Sequence, residues 1–215
     1  MHPRNRYMQG PLDYNLLADA FPPLKTHLKH SKTTTHIDYK SIRASRDITC
    51  AILWAHWNLI LEVPLESLIP TVPNRLDYIL YIQDLIKNQE NVIGIDLGCG
   101  HSCIYALLAC RLTTWKFIAI DNNPASIEAA EFNVVNNQLE DSIKVVLNTS
   151  AELLPFALIP DKCTFVMCNP PFYKSQLEIS DCRSRKSTAA SCKSNFAEVI
   201  EMFNLLRIKR YKVAR

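Results

Sequence analysis

Between residues 91 and 169 short apolar runs alternate with helix-length stretches, and this alternation limits the possible folds more than any other feature of the chain. NVIGIDLG (91–98), KFIAID (116–121), SIKVVLN (142–148) and CTFVMCN (163–169) read as strands. Residues 102–112 and 124–138 read as helices, the second with Pro124 in its first turn. Strands separated by helices return by right-handed crossovers, so the pattern predicts an α/β fold with a doubly wound, mainly parallel sheet. Upstream, 47–61 reads as a helix ending near Pro64. A second helix runs from a cap at Thr71, with Leu76, Ile79, Leu80, Leu85 and Ile86 as its apolar positions. The sheet therefore carries an N-terminal helical extension, and the chain divides into 1–46, 47–90, 91–180 and 181–215.

Charge separates these segments. Residues 1–46 hold eight Lys/Arg against three Asp/Glu, residues 47–169 six against fourteen, and residues 170–215 ten against four. Two basic ends around an acidic middle suit a polyanionic partner, because each neutralised phosphate releases counterions. Solvated tails would account for the same charge. No apolar stretch is long enough to span a bilayer, and MHPRNRYMQG lacks the apolar block of a secretion signal, so an intracellular protein without a membrane partner is expected. The eight cysteines include no Cys-x-x-Cys pair and read as reduced, mostly buried thiols. His27, His30 and His36 lack a cysteine or carboxylate at matching spacing, so no metal site is expected.

Three motifs carry chemistry. In Gly94-Ile95-Asp96-Leu97-Gly98-Cys99-Gly100-His101-Ser102, the glycines at 98 and 100 permit a sharp turn and close backbone approach, and Asp96 can meet an amino group. Ser102 stands where a dinucleotide loop commonly has its third glycine. A tight turn with no ligand is the alternative. Asp121, closing the next strand, can accept both hydroxyls of a ribose; capping the following helix is its alternative. Together they favour a bound nucleoside. The third motif, Cys168-Asn169-Pro170-Pro171-Phe172-Tyr173, closes the fourth strand. Asn-Pro-Pro-aromatic in this order resembles the class I methyltransferases of planar amino or amide nitrogens. Adenine's exocyclic amine has its lone pair delocalised into the ring. It needs acceptors that hold it in an attacking geometry, here the Asn169 side-chain oxygen and the Pro170 carbonyl. The prolines stiffen the backbone, and Phe172 offers a ring for an extruded base.

The resemblance goes further than one motif. HPRNRY (2–7), IPTVPNRLDY (69–78), GCGHSCIY (98–105) and MCNPPF (167–172) together resemble the methyltransferase-like protein 16 family over about residues 1–180. That family methylates an adenosine of U6 small nuclear RNA, and its bacterial relatives methylate an adenine of large-subunit ribosomal RNA. The resemblance implies a Rossmann-like class I methyltransferase that uses S-adenosyl-L-methionine on structured RNA in the nucleus, with the cytoplasm as a second location. It implies cofactor contacts from Arg75, Gly98, Ser102 and Asp121, beside Asp96 and Gly100 of the glycine motif. Arg75 would meet the cofactor's carboxylate, and Glu152 would lie near its adenine ring. Asn169, Pro170 and Phe172 would form the target-base site. Arg4, Arg6, Lys25, Lys29 and Lys32 would contact RNA from residues 1–46.

The end of the chain departs from the family. Too few residues follow Phe172 for the three further strands of a complete sheet, no glycine follows Gly100, and 181–215 reads as a divergent basic terminus with one helix over 195–206. One side of the fourth strand is therefore expected to lie bare. Two other functions remain open: a non-catalytic, truncated RNA- or cofactor-binding form, and a protein glutamine-N5 methyltransferase, against which the basic N-terminal region argues.

Overall fold

The computed structural model describes residues 1–87, 89–150, 160, 163–169 and 212–213. The first 41 residues pack into the main core through Leu17, Ala18, Leu24 and Ile37. After a 3-10 turn at Arg6–Met8, Asp13 caps α1 (Tyr14–Ala20) by accepting from the N–H groups of Asn15 and Leu16. A second 3-10 turn, Pro22–His27, leads into an antiparallel hairpin of β1 (Leu28–His30) and β2 (Thr35–Ile37). This region is folded, so a disordered tail does not explain its charge.

Helix α2 (Ile42–Trp57) begins five residues before the position expected, because the Ser41 side chain caps it at Ala44. It stops at Asn58, whose left-handed backbone (φ 50°) ends the helix well before Pro64. The chain then runs extended. Leu59, Leu61 and Val63 are buried, while Ile60 and Glu62 between them face outward, an alternation characteristic of a strand. Helix α3 (Val72–Ile86) matches its expected span, although the Thr71 side chain makes no capping bond and Leu85 lies exposed.

The sheet consists of β3 (Ile93–Leu97), β4 (Lys116–Asp121), β5 (Ile143–Leu147), β6 (Phe165–Cys168) and β7 (Lys212–Val213), all parallel, in the order β5-β4-β3-β6-β7. Helices α4 (Ile104–Leu112) and α5 (Pro124–Asn136) make the crossovers. The outer side of β6, expected to be bare, carries β7 opposite Phe165 and Val166. Among the described residues, no helix is long and apolar enough to cross a membrane.

Period-two alternation divides the strand residues between two faces. Phe117, Ala119, Phe165 and Met167 join the larger core with residues of α2, α3 and α4, including the fully buried Leu53, Ile79, Leu107 and Leu108. Each such side chain stabilises the fold by roughly 1.5–3 kcal/mol. Ile95, Leu97, Ile120 and Val166 form a separate cluster on the other face. Gly94 is required for packing. A Cβ there would lie 2.5 Å from the Phe165 ring and 2.9 Å from Phe117, whose rings meet edge-on at 5.8 Å.

Candidate cofactor and target-base site

Parallel strands direct their C-terminal ends to one mouth of the sheet, and β4, β3 and β6 are neighbours there. Beyond β3 the chain turns through Gly98 (φ 72°), Gly100 (φ 62°) and Cys103 (φ 48°), and the last of these delays α4 to Ile104. The space beside Gly98 and Gly100 is open, with no atom within 4 Å of a Cβ at either position. Their backbone conformation selects glycine, and the turn remains approachable. It is tied to β4 by hydrogen bonds from the N–H groups of Gly98 and Cys99 to the Ile120 carbonyl, at 2.8 and 3.0 Å.

Asp121 ties the same turn from its side chain. Oδ2 accepts the Gly100 N–H at 2.9 Å and Oδ1 accepts the Asn123 N–H at 2.9 Å. The helix cap is Asn123, which accepts the Ala125 N–H at 3.0 Å. A carboxylate oxygen has two lone pairs, so each oxygen of Asp121 can still accept a hydroxyl.

Asp96 differs from every other acid near the mouth. It is fully buried, and neither carboxylate oxygen has a hydrogen-bond partner among the described residues. Burial, and then the negative charge of Asp121, pushes its carboxyl up to about 7, while Arg75 pulls the other way. A buried anion left in this state is destabilising, and an arriving ammonium group with protons to donate removes the deficit. The amino group of an amino-acid-bearing cofactor fits that donor set.

Arg75 reaches the site from α3. It donates from Nη1 to the Tyr105 hydroxyl at 2.9 Å, with its guanidinium 5.3 Å from that ring's centroid. Tyr105 meets Tyr78 edge-on at 5.5 Å. Burial pushes the Tyr78 hydroxyl up to about 12, against the pull of a hydrogen bond with the Cys168 backbone, one residue before Asn169. The helical extension is thus linked through two tyrosines to the end of β6. Sequence reasoning assigned neither tyrosine a role, although both lie inside the matched segments and a buried hydroxyl needs a partner.

The structure brings Asp96, Gly98, Gly100, Ser102 and Asp121 together around the turn, with Arg75 beside them. Ser102 is buried and Asn169 half-buried. Glu152, Pro170 and Phe172 lie outside the described residues.

Of the five basic residues expected to meet RNA, four are held in different places. Arg4 pairs with Asp84 and donates to Gln83 and to the Leu80 carbonyl, all on α3. Arg6 donates to the His56 carbonyl at 3.1 Å and lies 5.8 Å from the Trp57 ring. Lys25 pairs with Asp19 at 2.9 Å and Lys29 with Asp38 at 3.1 Å, while Lys32 stands exposed between the hairpin strands.

Comparison with known proteins shows what this chain is similar to. The chain is 42% identical over 191 residues to the RNA N(6)-adenosine-methyltransferase mettl16 of Danio rerio, covering 87% of this chain and 41% of the relative. It is 40% identical over 183 residues to the U6 small nuclear RNA (adenine-(43)-N(6))-methyltransferase of Caenorhabditis elegans, covering 81% of this chain and 38% of the relative. The chain thus spans about two fifths of the length of these curated relatives. Among solved structures, the N-terminal domain of human METTL16 in complex with SAH superimposes with a TM-score of 0.81 at 34% identity, covering all of this chain and 84% of that one. The hMettl16 catalytic domain in complex with MAT2A 3'UTR hairpin 1 gives 0.85 at 34% identity, covering 99% and 79%. The family resemblance seen in the four motifs and the Rossmann-like class I fold are both borne out. A family model described as RNA methyltransferase matches residues 1–203, and the chain belongs to that family.

Proposed function

We propose that this protein transfers the methyl group of S-adenosyl-L-methionine to N6 of an adenine in structured RNA of the U6 small nuclear type, acting in the nucleus. The observation that carries the reading is Asp96: a buried carboxylate without partners among the described residues, beside two open glycines and next to the ends of β4 and β6. A site that held only a neutral base would gain nothing from it. The relatives' names and the solved complexes with SAH and with RNA hairpins support the donor and the partner.

When bound, the donor supplies an activated methyl group. The chain's own residues bind and orient. Asp96 receives the donor's ammonium, Arg75 its carboxylate, and Asp121 the ribose hydroxyls, while Gly98 and Gly100 let the backbone come close and Ser102 helps line the loop. Glu152 is assigned to the adenine end of the donor. At the end of β6, the Asn169 side-chain oxygen and the Pro170 carbonyl hold the target amine as its nitrogen turns positive, and Phe172 stacks on the base. Arg4, Arg6, Lys25, Lys29 and Lys32 contact phosphates; the exposed ion pairs of Arg4, Lys25 and Lys29 are weak in water and can exchange for RNA.

The test is methyl transfer from labelled donor to a U6-type hairpin, with a protein extract offered in parallel. Label is expected in the RNA, at N6 of adenine. Asn169→Ala should lower turnover on the order of 100-fold with donor affinity nearly intact, because its acceptor matters most at the transition state. Label in protein glutamine, or equal turnover by Asn169→Ala, would overturn the assignment.

A further inference from the structure

Asn133 lies fully buried on α5. Its Oδ1 accepts the Glu62 N–H at 2.7 Å, and its Nδ2 donates to the Glu62 carbonyl at 2.8 Å and to the His101 carbonyl at 3.0 Å. One helical turn later Asn137 bonds Ile60 in the same way, at 2.8 Å to its N–H and 2.7 Å to its carbonyl, and uses its remaining proton on the Asn133 carbonyl at 2.7 Å. Both asparagines hold the extended segment after α2. Asn133 also holds the glycine turn.

That second grip falls at a sensitive point. Asp121 fixes the Gly100 N–H from β4, and Asn133 fixes the carbonyl of the next residue from α5. The His101 ring is held as well, with Nδ1 3.3 Å from the Ser126 hydroxyl. In a trans peptide the C=O and the following N–H point in opposite directions. With the His101 carbonyl held toward α5, the Ser102 N–H is aimed away from it.

We infer that Asn133 is a positioning residue for the methyl donor: it sets the orientation of the His101–Ser102 peptide and thereby the shape of the turn that the donor contacts. This rests on the donor site proposed above. Asn137 is the control, because it makes a similar set of bonds to the same extended segment without bonding the turn.

Equilibrium binding of S-adenosyl-L-methionine to the full chain, with thermal unfolding measured alongside, tests this. Asn137→Ala should lower the unfolding temperature and leave donor affinity within about twofold. Asn133→Ala should lower the unfolding temperature similarly and weaken the donor about tenfold or more, since misplacement of a binding element by about an ångström can cost that much. The same-sized Asn133→Asp, which keeps the acceptor and loses both donors, should also weaken it. Unchanged affinity in either folded Asn133 variant, or an equal loss in Asn137→Ala, would overturn the inference while leaving the donor site standing. Absence of binding by the unsubstituted chain would overturn the donor site itself. If neither Asn133 variant folds, hydrogen exchange on the unsubstituted chain decides: the side-chain amide protons of Asn133, bonded to the Glu62 and His101 carbonyls, should be protected as strongly as the backbone amides of α5, and fast exchange there would refute the grip.

Discussion

Asn133 and Asn137 are sealed from solvent with the oxygen and nitrogen of each side-chain amide bonded, whereas Asp96 is sealed just as completely and its two oxygens meet no donor among the described residues. The asparagines join parts of one chain, so their partners are present as soon as it folds. Asp96 has the burial of a structural residue without the bonds, and a charge that has to be answered from outside. Polar burial thus marks a joint in one region and, in the other, the donor site proposed above.

The largest expected effect tests the Asp96 half of this contrast. A carboxyl raised to about 7 binds its proton more tightly in the folded chain than in the unfolded one, so folding stability falls as pH rises from about 4 to 7 and stays low above that. Three pK units correspond to roughly 4 kcal/mol, less about 1 kcal/mol for the unbonded amide that replaces the acid. Asp96→Asn should therefore be more stable than the parent by about 3 kcal/mol at pH 8, with the gain gone near pH 4, when unfolding in urea is followed across that range. Donor binding should tighten as pH rises through 7 in the parent and lose that component in the variant. Equal stability at pH 8 would mean that Asp96 is answered within the chain.

Gly94→Ala probes burial without charge. The added methyl must push the Phe165 and Phe117 rings aside. A loss of about 2 kcal/mol is expected, flat between pH 5 and 8, as overpacking does not titrate. A pH-dependent loss would connect the aromatic cluster to Asp96 and blur the distinction.

The smallest effect on stability concerns side chains outside both regions. Arg4→Ala combined with Arg6→Ala should barely move the unfolding temperature, because the Arg4–Asp84 pair and the Arg6 bond to the His56 carbonyl are both exposed. Affinity for an RNA hairpin should fall, and the slope of log affinity against log salt should flatten by roughly one unit for each phosphate no longer neutralised. An unchanged slope would assign both arginines to anchoring the N-terminus alone.

Much of this was visible in the sequence where the signal is local. The strand-helix alternation located β3, β4, β5 and β6 within two residues, because each run is mostly apolar and short. Asp96, Gly98, Gly100 and Asp121, which the structure brings together, stand out in the sequence because a turn that admits a ligand calls for such residue types in that order. What escaped notice depends on distant partners. Ser41 is an ordinary serine until α2 starts behind it, and the three-residue strands of the hairpin carry lysine and histidine in place of an apolar pattern. Asn133 and Asn137 look like the solvent side of a helix, since the segments they bond lie 71 and 77 residues earlier in the chain. Tyr78 likewise acquires meaning only when β6 arrives beside it.

The spacing of those two asparagines has a metric consequence. Four residues of α-helix advance about 6 Å along the axis, and two residues of extended chain advance about 6.6–6.8 Å. A helix that carries an amide every fourth residue can therefore stand in for a neighbouring strand, presenting one acceptor and one donor to every second residue of an extended segment. Residues 59–63 are bonded in this manner, which accounts for their strand-like alternation outside any sheet. The mismatch of roughly half an ångström or more per step accumulates, so the correspondence suits two rungs and fails over many. A slip of one residue would turn the bonded N–H and C=O groups of Ile60 and Glu62 away from α5, so the two rungs act as a vernier that fixes where the helical extension meets the sheet.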